Sequence, residues 1–256
     1  MSDLKLAFEG ALARVTLNRP AQRNAINSAM WRELPALVAK ITAHTATKVV
    51  LLDGAGEQAF SAGADIIEMQ RGLADPESMR VMQEAVQVAQ ARWFELPIPS
   101  IAVIRGACTG GGCGLAVACD LRIAASDSFF AVPPAKLGLV YSLADTERLV
   151  ALVGAAVAKE LLFSGTRLDA MRALQVGLVN RVVPVTALAK EAETLAAEIA
   201  ANSSHSVRAA KRVVNAAVSG DAAAQSATRQ LYYESFSSSD FAEGARAFLE
   251  KRPPKF

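Results

Sequence analysis

The stretch "GACTGGGCGLAVACD", Gly106 to Asp120, constrains this chain more than any other. Glycines stand at 110, 111, 112 and 114, at the mouth of a run that otherwise reads as a buried apolar helix. Each glycine in a helix costs roughly 1 kcal/mol against alanine. Bare backbone is therefore required there. The run "PSIAVIRG" before it and "DLRIAAS" after it both read as buried strands, so a strand passes through the glycines into the helix "GLAVAC". The first amides of a helix lack internal partners and carry partial positive charge. Glycines let a ligand oxygen approach them, either a phosphate or a transient oxyanion. The phosphate motifs fail on spacing. Gly106-xxxx-Gly111 is followed by Gly112 instead of lysine, and a GxGxxG register from Gly110 meets Leu115. Close packing of helix on strand accounts for the spacing equally well.

A second stretch, "GAGEQAFSAGADIIEM" at 54–69, follows the strand-like "KVVLLDG" in the same way. It has small residues at its turn, Ala62-Gly63-Ala64, ahead of another apolar helical start. Two strand ends that each offer an amide would make a donor pair for one oxygen. "AFSAG" is not a nucleophile elbow, because Ala59 stands where that motif needs glycine.

Elsewhere "LKLAFEGALARVTLNRP" reads as a hairpin turning at Glu9-Gly10. "SAMWRELPALVAKITAH" reads as a helix with Ser28 as N-cap and a kink at Pro35. Asp75-Pro76-Glu77 opens another helix. After about residue 143 the chain reads as helical, broken by "LVNRVV". The order predicts an α/β core followed by helices, with "NSSHS" at 202–206 as the boundary. A chain of 256 residues suits one large domain, or one domain with a helical appendage. With 27 basic and 25 acidic residues and no basic run, nothing points to nucleic acid. The three cysteines all lie in the opening stretch without a CxxC pair and read as reduced thiols in the core. Two histidines leave little for a metal site. There is no signal-like or membrane-spanning run, so a soluble cytoplasmic protein is expected.

Four motifs in order, "NRPAQRNAIN" at 18–27, "AFSAGADI" at 59–66, "GGGCGLAVACD" at 110–120 and "EGARAFLEKRPPKF" at 243–256, make the chain resemble the enoyl-CoA hydratase/isomerase (crotonase) superfamily over nearly its whole length. The resemblance implies a spiral of ββα units over 1–200. A helical C-terminal region, 201–256, would build homotrimers, often paired into dimers of trimers. It implies an acyl-CoA thioester substrate, with coenzyme A entering as part of that substrate and no other cofactor. Carried over position by position, the amides of Ala64 and Gly111 would hold the thioester oxygen as it becomes an enolate. Arg23 and Ala25, with Ala62, Asp65 and Ile66, would form the CoA-contacting loops. Phe248 and Lys251 would cover CoA across a subunit boundary, although ordinary helix packing and a solvated lysine explain them as well.

The chain departs from the family where hydratases carry two glutamates. Those positions fall on Gly114 and Pro134, and neither residue transfers a proton. "PPAKLGLVYSLADTERL" looks like a methylmalonyl-CoA decarboxylase branch, whose tyrosine falls on Tyr141, although that branch keeps the glutamate at 114. A neutral phenol could orient a carboxylate or protonate an enolate. Asp145 is the nearest carboxylate, and Ser142-Leu-Ala-Asp145 reads first as a helix cap. Glu68 and Lys136 read as solvated. The expectation is a thioester-enolate enzyme, by decarboxylation or double-bond isomerisation. The alternatives are a hydratase with weak or relocated acid–base groups and a non-catalytic acyl-CoA-binding subunit.

Overall fold

The computed structural model describes residues 2–72 and 74–256. Strands β1 (Leu4–Glu9) and β2 (Leu12–Leu17) form the expected hairpin, paired antiparallel and turning at Gly10. Helix α1 (Ser28–Ala43) follows and runs through Pro35. Its N-cap is Asn27 and not Ser28: the Asn27 side chain accepts from the Met30 amide. Asparagine and serine are equally good caps, and the sequence offers them side by side.

Three β-β-α units come next. β3 (Val49–Gly54) and β4 (Ala59–Ser61) lead into α2 (Ile66–Gly72) and α3 (Pro76–Phe94). β5 (Ser100–Ile104) and β6 (Ala107–Thr109) lead into α4 (Gly111–Ala118). β7 (Leu121–Ala125) and β8 (Phe129–Ala131) lead into α5 (Leu143–Ser164). The first strand of each unit joins a six-stranded sheet, β1-β2-β3-β5-β7-β10, and the second joins a four-stranded sheet, β4-β6-β8-β9. The remaining strands are β9 (Arg167–Asp169) and β10 (Arg181–Val183), separated by α6 (Ala170–Gln175). Helices α7 (Leu188–Ala200), α8 (Ser204–Ser219), α9 (Ala222–Ser235) and α10 (Ser239–Leu249) close the chain.

The centre of the large sheet is buried on both faces, which is why β3, β5 and β7 read as unbroken apolar runs. Val50, Leu52, Ala102, Ile104 and Ala124 face the main core with α1, α3 and α4. Val49, Leu51, Ile101, Val103 and Ile123 face α7 through Leu188, Ala192 and Ala196. Strands β4, β6, β8 and β9 have three residues each. Such segments carry no readable period, so the second sheet is a product of the tertiary structure. Among the described residues no helix is long and apolar enough to cross a membrane.

The glycine run resolves into separate requirements. The helix starts at Gly111, three residues earlier than "GLAVAC" suggests, and so takes in three of the glycines. Gly110 precedes it with φ +53° and ψ −123°, a conformation that glycine adopts readily. A Cβ on Gly112 would lie 2.5 Å from Ser61 Cβ and 3.0 Å from the Ser61 carbonyl oxygen. Gly112 therefore lets α4 lie on β4 and brings the two glycine-bearing turns together. Gly112→Ala is expected to cost about 1–3 kcal/mol by overpacking, read as a lowered midpoint in thermal melting. A melt unchanged from the parent would show that the two turns can separate without cost.

Candidate active site

Asn24 builds the floor of the site. It is fully buried in the left-handed conformation, φ +54°. Its Nδ2 donates to the carbonyls of Ala55 and Ala59, and its Oδ1 accepts from the Arg19 amide. This ties the 19–25 segment to the turn after β3. The Ala62 amide donates to the Arg23 carbonyl at 2.9 Å, the Ile26 amide to Gly63, and the Asp65 amide back to Ile26. The structure thus lays the segment that carries Arg23 and Ala25 alongside the segment that carries Ala62, Asp65 and Ile66. The Arg23 side chain is exposed, and Ile66 is 61% exposed. The Asp65 side chain has a different task. It accepts from Arg19 at 2.8 Å and from the amides of Ile67 and Glu68 at the start of α2. Burial raises its pKa, but these donors outweigh burial and hold it below the ordinary carboxylate value.

Successive amides along an extended segment point to opposite sides. Because Asp65 N and the Gly63 carbonyl are spent on Ile26, the Ala64 amide points away from that partner. Among the described residues it has no acceptor. The Gly111 amide has none either, being the first of α4. The two lie side by side: a Cβ on Gly111 would sit 4.0 Å from Ala64 N and 3.3 Å from Trp31 Cζ2. Two unpartnered amides on neighbouring turns, with small residues around them, are the kind of pair that can donate to one oxyanion.

One turn along the same face of α4 stands Gly114. Around the place where its side chain would begin, three elements converge. A Cβ there would overlap the end of the Gln90 amide from α3, and would lie 3.2 Å from Tyr141 Oη and 3.4 Å from Asp145 Oδ1. Asp145 is 5% exposed. The cap expected at 142–145 exists, with Ser142 Oγ accepting from the Asp145 amide at 3.1 Å. The carboxylate itself turns into the site, accepting from Ser142 Oγ at 2.9 Å and Arg148 at 3.2 Å. Burial raises the Asp145 pKa against these two partners. Arg148 also stacks over the Phe94 ring, 4.9 Å from its centroid. Burial, then the nearby Cys113 and Asp145, push the Tyr141 hydroxyl well above its ordinary pKa, so the phenol stays protonated. Pro134 opens a single 3-10 turn, Pro134–Leu137, and brings no polar side chain.

The other sequence readings separate. Glu68 is not a solvated face residue: its Oε2 accepts from the Ser28 amide and hydroxyl at 2.7 and 2.6 Å, capping α1. Lys136 is exposed, as expected. Phe248, 84% exposed, and Lys251 stand at the end of α10. Cys108, Cys113 and Cys119 are buried free thiols, and burial pushes Cys119 up to about 12. A cavity of about 910 Å³ lined by residues including Val117, Arg122, Glu147, Lys211 and Val214 is bordered by neither Ala64 nor Gly111. Gln90 and Asn24 carry much of the site and were not singled out from sequence. Gln90 stands one turn from both Val86 and Trp93, a polar residue on an apolar stripe, and that is its only sequence signal.

Paired strands that feed helices through small-residue turns, in two sheets followed by C-terminal helices, define the α/β class of the fold. The sequence profile of the enoyl-CoA hydratase/isomerase family matches residues 7–256, and the chain belongs to that family. It is 35% identical over 254 residues to a short-chain-enoyl-CoA hydratase of Clostridium acetobutylicum, covering 98% of this chain and 96% of the relative. It is 34% identical over 257 residues to a crotonyl-CoA hydratase of Syntrophomonas wolfei, covering 99% and 97%. The crystal structure of an enoyl-CoA hydratase/isomerase family protein from Hyphomonas neptunium superposes with a TM-score of 0.95 at 40% identity, covering 100% of this chain and 97% of that one.

Proposed function

We propose that this acyl-CoA enzyme forms and reprotonates a thioester enolate, and that its reaction is double-bond isomerisation in preference to hydration. The observation that carries this is a single buried carboxylate, Asp145, beside Gly114, one helical turn from the unpartnered Gly111 amide. Ala64 and Gly111 would take the charge on the thioester oxygen. One ionised carboxylate can remove a proton from Cα of a 3-enoyl thioester. The electrons then move onto the oxygen, and the same group returns the proton at Cγ. Hydration needs a second group to activate water, and Pro134 supplies none. The protonated Tyr141 favours decarboxylation as a second reading: the carbon–carbon bond to a substrate carboxylate breaks, its electrons enter the enolate, and the phenol protonates Cα.

Mass-spectrometric turnover of 3-enoyl-, crotonyl-, malonyl- and methylmalonyl-CoA separates these readings. Conversion of 3-enoyl- to 2-enoyl-CoA is expected, with crotonyl-CoA hydration slower than in a two-glutamate relative by about 10⁴-fold or more. Hydration at an ordinary enzyme rate, about 10 per second, would overturn the proposal. Exposed Arg23 at the mouth, with the 62–66 backbone, supports CoA binding there, and Phe248 and Lys251 would close over it from a partner subunit.

The assembly proposed with this function is a homotrimer or dimer of trimers. Tyr232, Tyr233, Phe236, Phe241, Phe248 and Leu249 on and around α9 and α10 are each more than half exposed, more than a lone chain leaves in water. Light scattering at micromolar concentration is expected to give a trimer or hexamer mass, and a monomer would contradict it.

A further inference from the structure

Gln90 is 2% exposed on the core-facing side of α3. A buried amide is costly unless its hydrogen bonds are made. With its nitrogen turned toward Asp145, it donates to both carboxylate oxygens at 3.1 Å. Its far end fills the space that a Cβ at position 114 would need. Glycine at 114 and glutamine at 90 are thus two halves of one arrangement: a side chain at 114 would displace the amide, and the displaced amide would release Asp145.

We propose that Gln90 is a positioning residue, which excludes a side chain at 114 and holds both oxygens of Asp145 on the reacting face of α4. This rests on the reading of Asp145 as the proton-transfer group. The ionisable groups around Asp145 are Arg148 on its own helix, Tyr141 in the preceding loop and, beyond the phenol, Cys113 on α4 and Cys108 on β6. From α3, the group that faces it is the neutral Gln90 amide. Donation to the ionised carboxylate favours that form.

The test uses Gln90→Met and Gly114→Ala, which remove the amide and displace it respectively. Asp145 is titrated through ¹³C-carboxyl aspartate resonances, with Asp145→Asn assigning the signal, alongside the pH profile of turnover. Each single variant is expected to move the Asp145 titration upward by about one pH unit. The double variant is expected to move it no further than the larger single shift, because both act through one contact. An unmoved titration in folded Gln90→Met overturns the proposal. If Gln90→Met fails to fold, an unmoved titration in Gly114→Ala does so. A shifted titration with turnover unaffected by Asp145→Asn keeps the placement of Gln90 and instead removes Asp145 from the chemistry.

Discussion

Gly111→Pro is expected to lower kcat on any accepted acyl-CoA by about 10²–10³-fold while the protein stays folded, the loss seen when one oxyanion donor is removed. The substitution replaces the amide hydrogen with the ring Cδ, which removes the donor and also fills its side of the site. Because the Gly111 amide has no acceptor among the described residues, no hydrogen bond among them is lost. The position is the first of α4, where proline is well tolerated. The added Cβ would meet Trp31 Cζ2 at 3.3 Å, a tight contact. Gly111→Ala brings the same Cβ and keeps the N–H, so it separates the contact with Trp31 from the change at the nitrogen. Steady-state rates with circular dichroism and light scattering decide the matter. A folded Gly111→Pro enzyme with parental kcat would remove the amide from the mechanism. Equal losses in proline and alanine variants would assign the effect to Trp31.

Asp145→Asn is expected to lower kcat by about 10²–10⁴-fold, the usual contribution of a positioned acid or base. Asparagine keeps the volume and one acceptor oxygen, so Arg148 on Oδ1 can keep its partner while the Ser142 hydroxyl, which donates to Oδ2, must turn. The same carboxyl leaves a mark on stability. Its folded pKa lies above its ordinary value because burial penalises the charge. Its contribution is therefore fully present below the unfolded pKa of about 3.9 and is lost as pH rises through the folded value. Asp145→Asn should flatten that decline in thermal melts taken at pH values rising from the unfolded pKa. A variant whose melting follows the parental pH dependence would place the titration elsewhere, and one that retains parental kcat would exclude Asp145 as the proton carrier.

The two small-residue turns that carry the proposed oxyanion amides are legible because their backbone requirements are local. Ala62-Gly63-Ala64 and Gly110-Gly111-Gly112 each follow an apolar strand, and small residues at a strand end signal exposed backbone. The long buried strands and the helix opening at Asp75-Pro76 were legible for the same reason. Legibility failed where a side chain's role depends on what arrives from another element. Glu68 reads as a solvated helix residue because nothing near it in sequence shows Ser28 approaching its carboxylate. Asp145 satisfies a local rule at Ser142, and that rule conceals its side chain turning inward.

The sequence by itself determined the strand-to-helix order, the family, and that neither position 114 nor position 134 carries a carboxylate. Periodicity, glycine placement and motif spacing are written along the chain. Only the tertiary structure decided why Gly114 is glycine. The space beside it is filled from α3 by Gln90, from the preceding loop by Tyr141 and from α5 by Asp145. A backbone amide can be anticipated from its own turn. The proton affinity of a carboxylate depends on the neighbours, charges and solvent exclusion that long-range packing supplies.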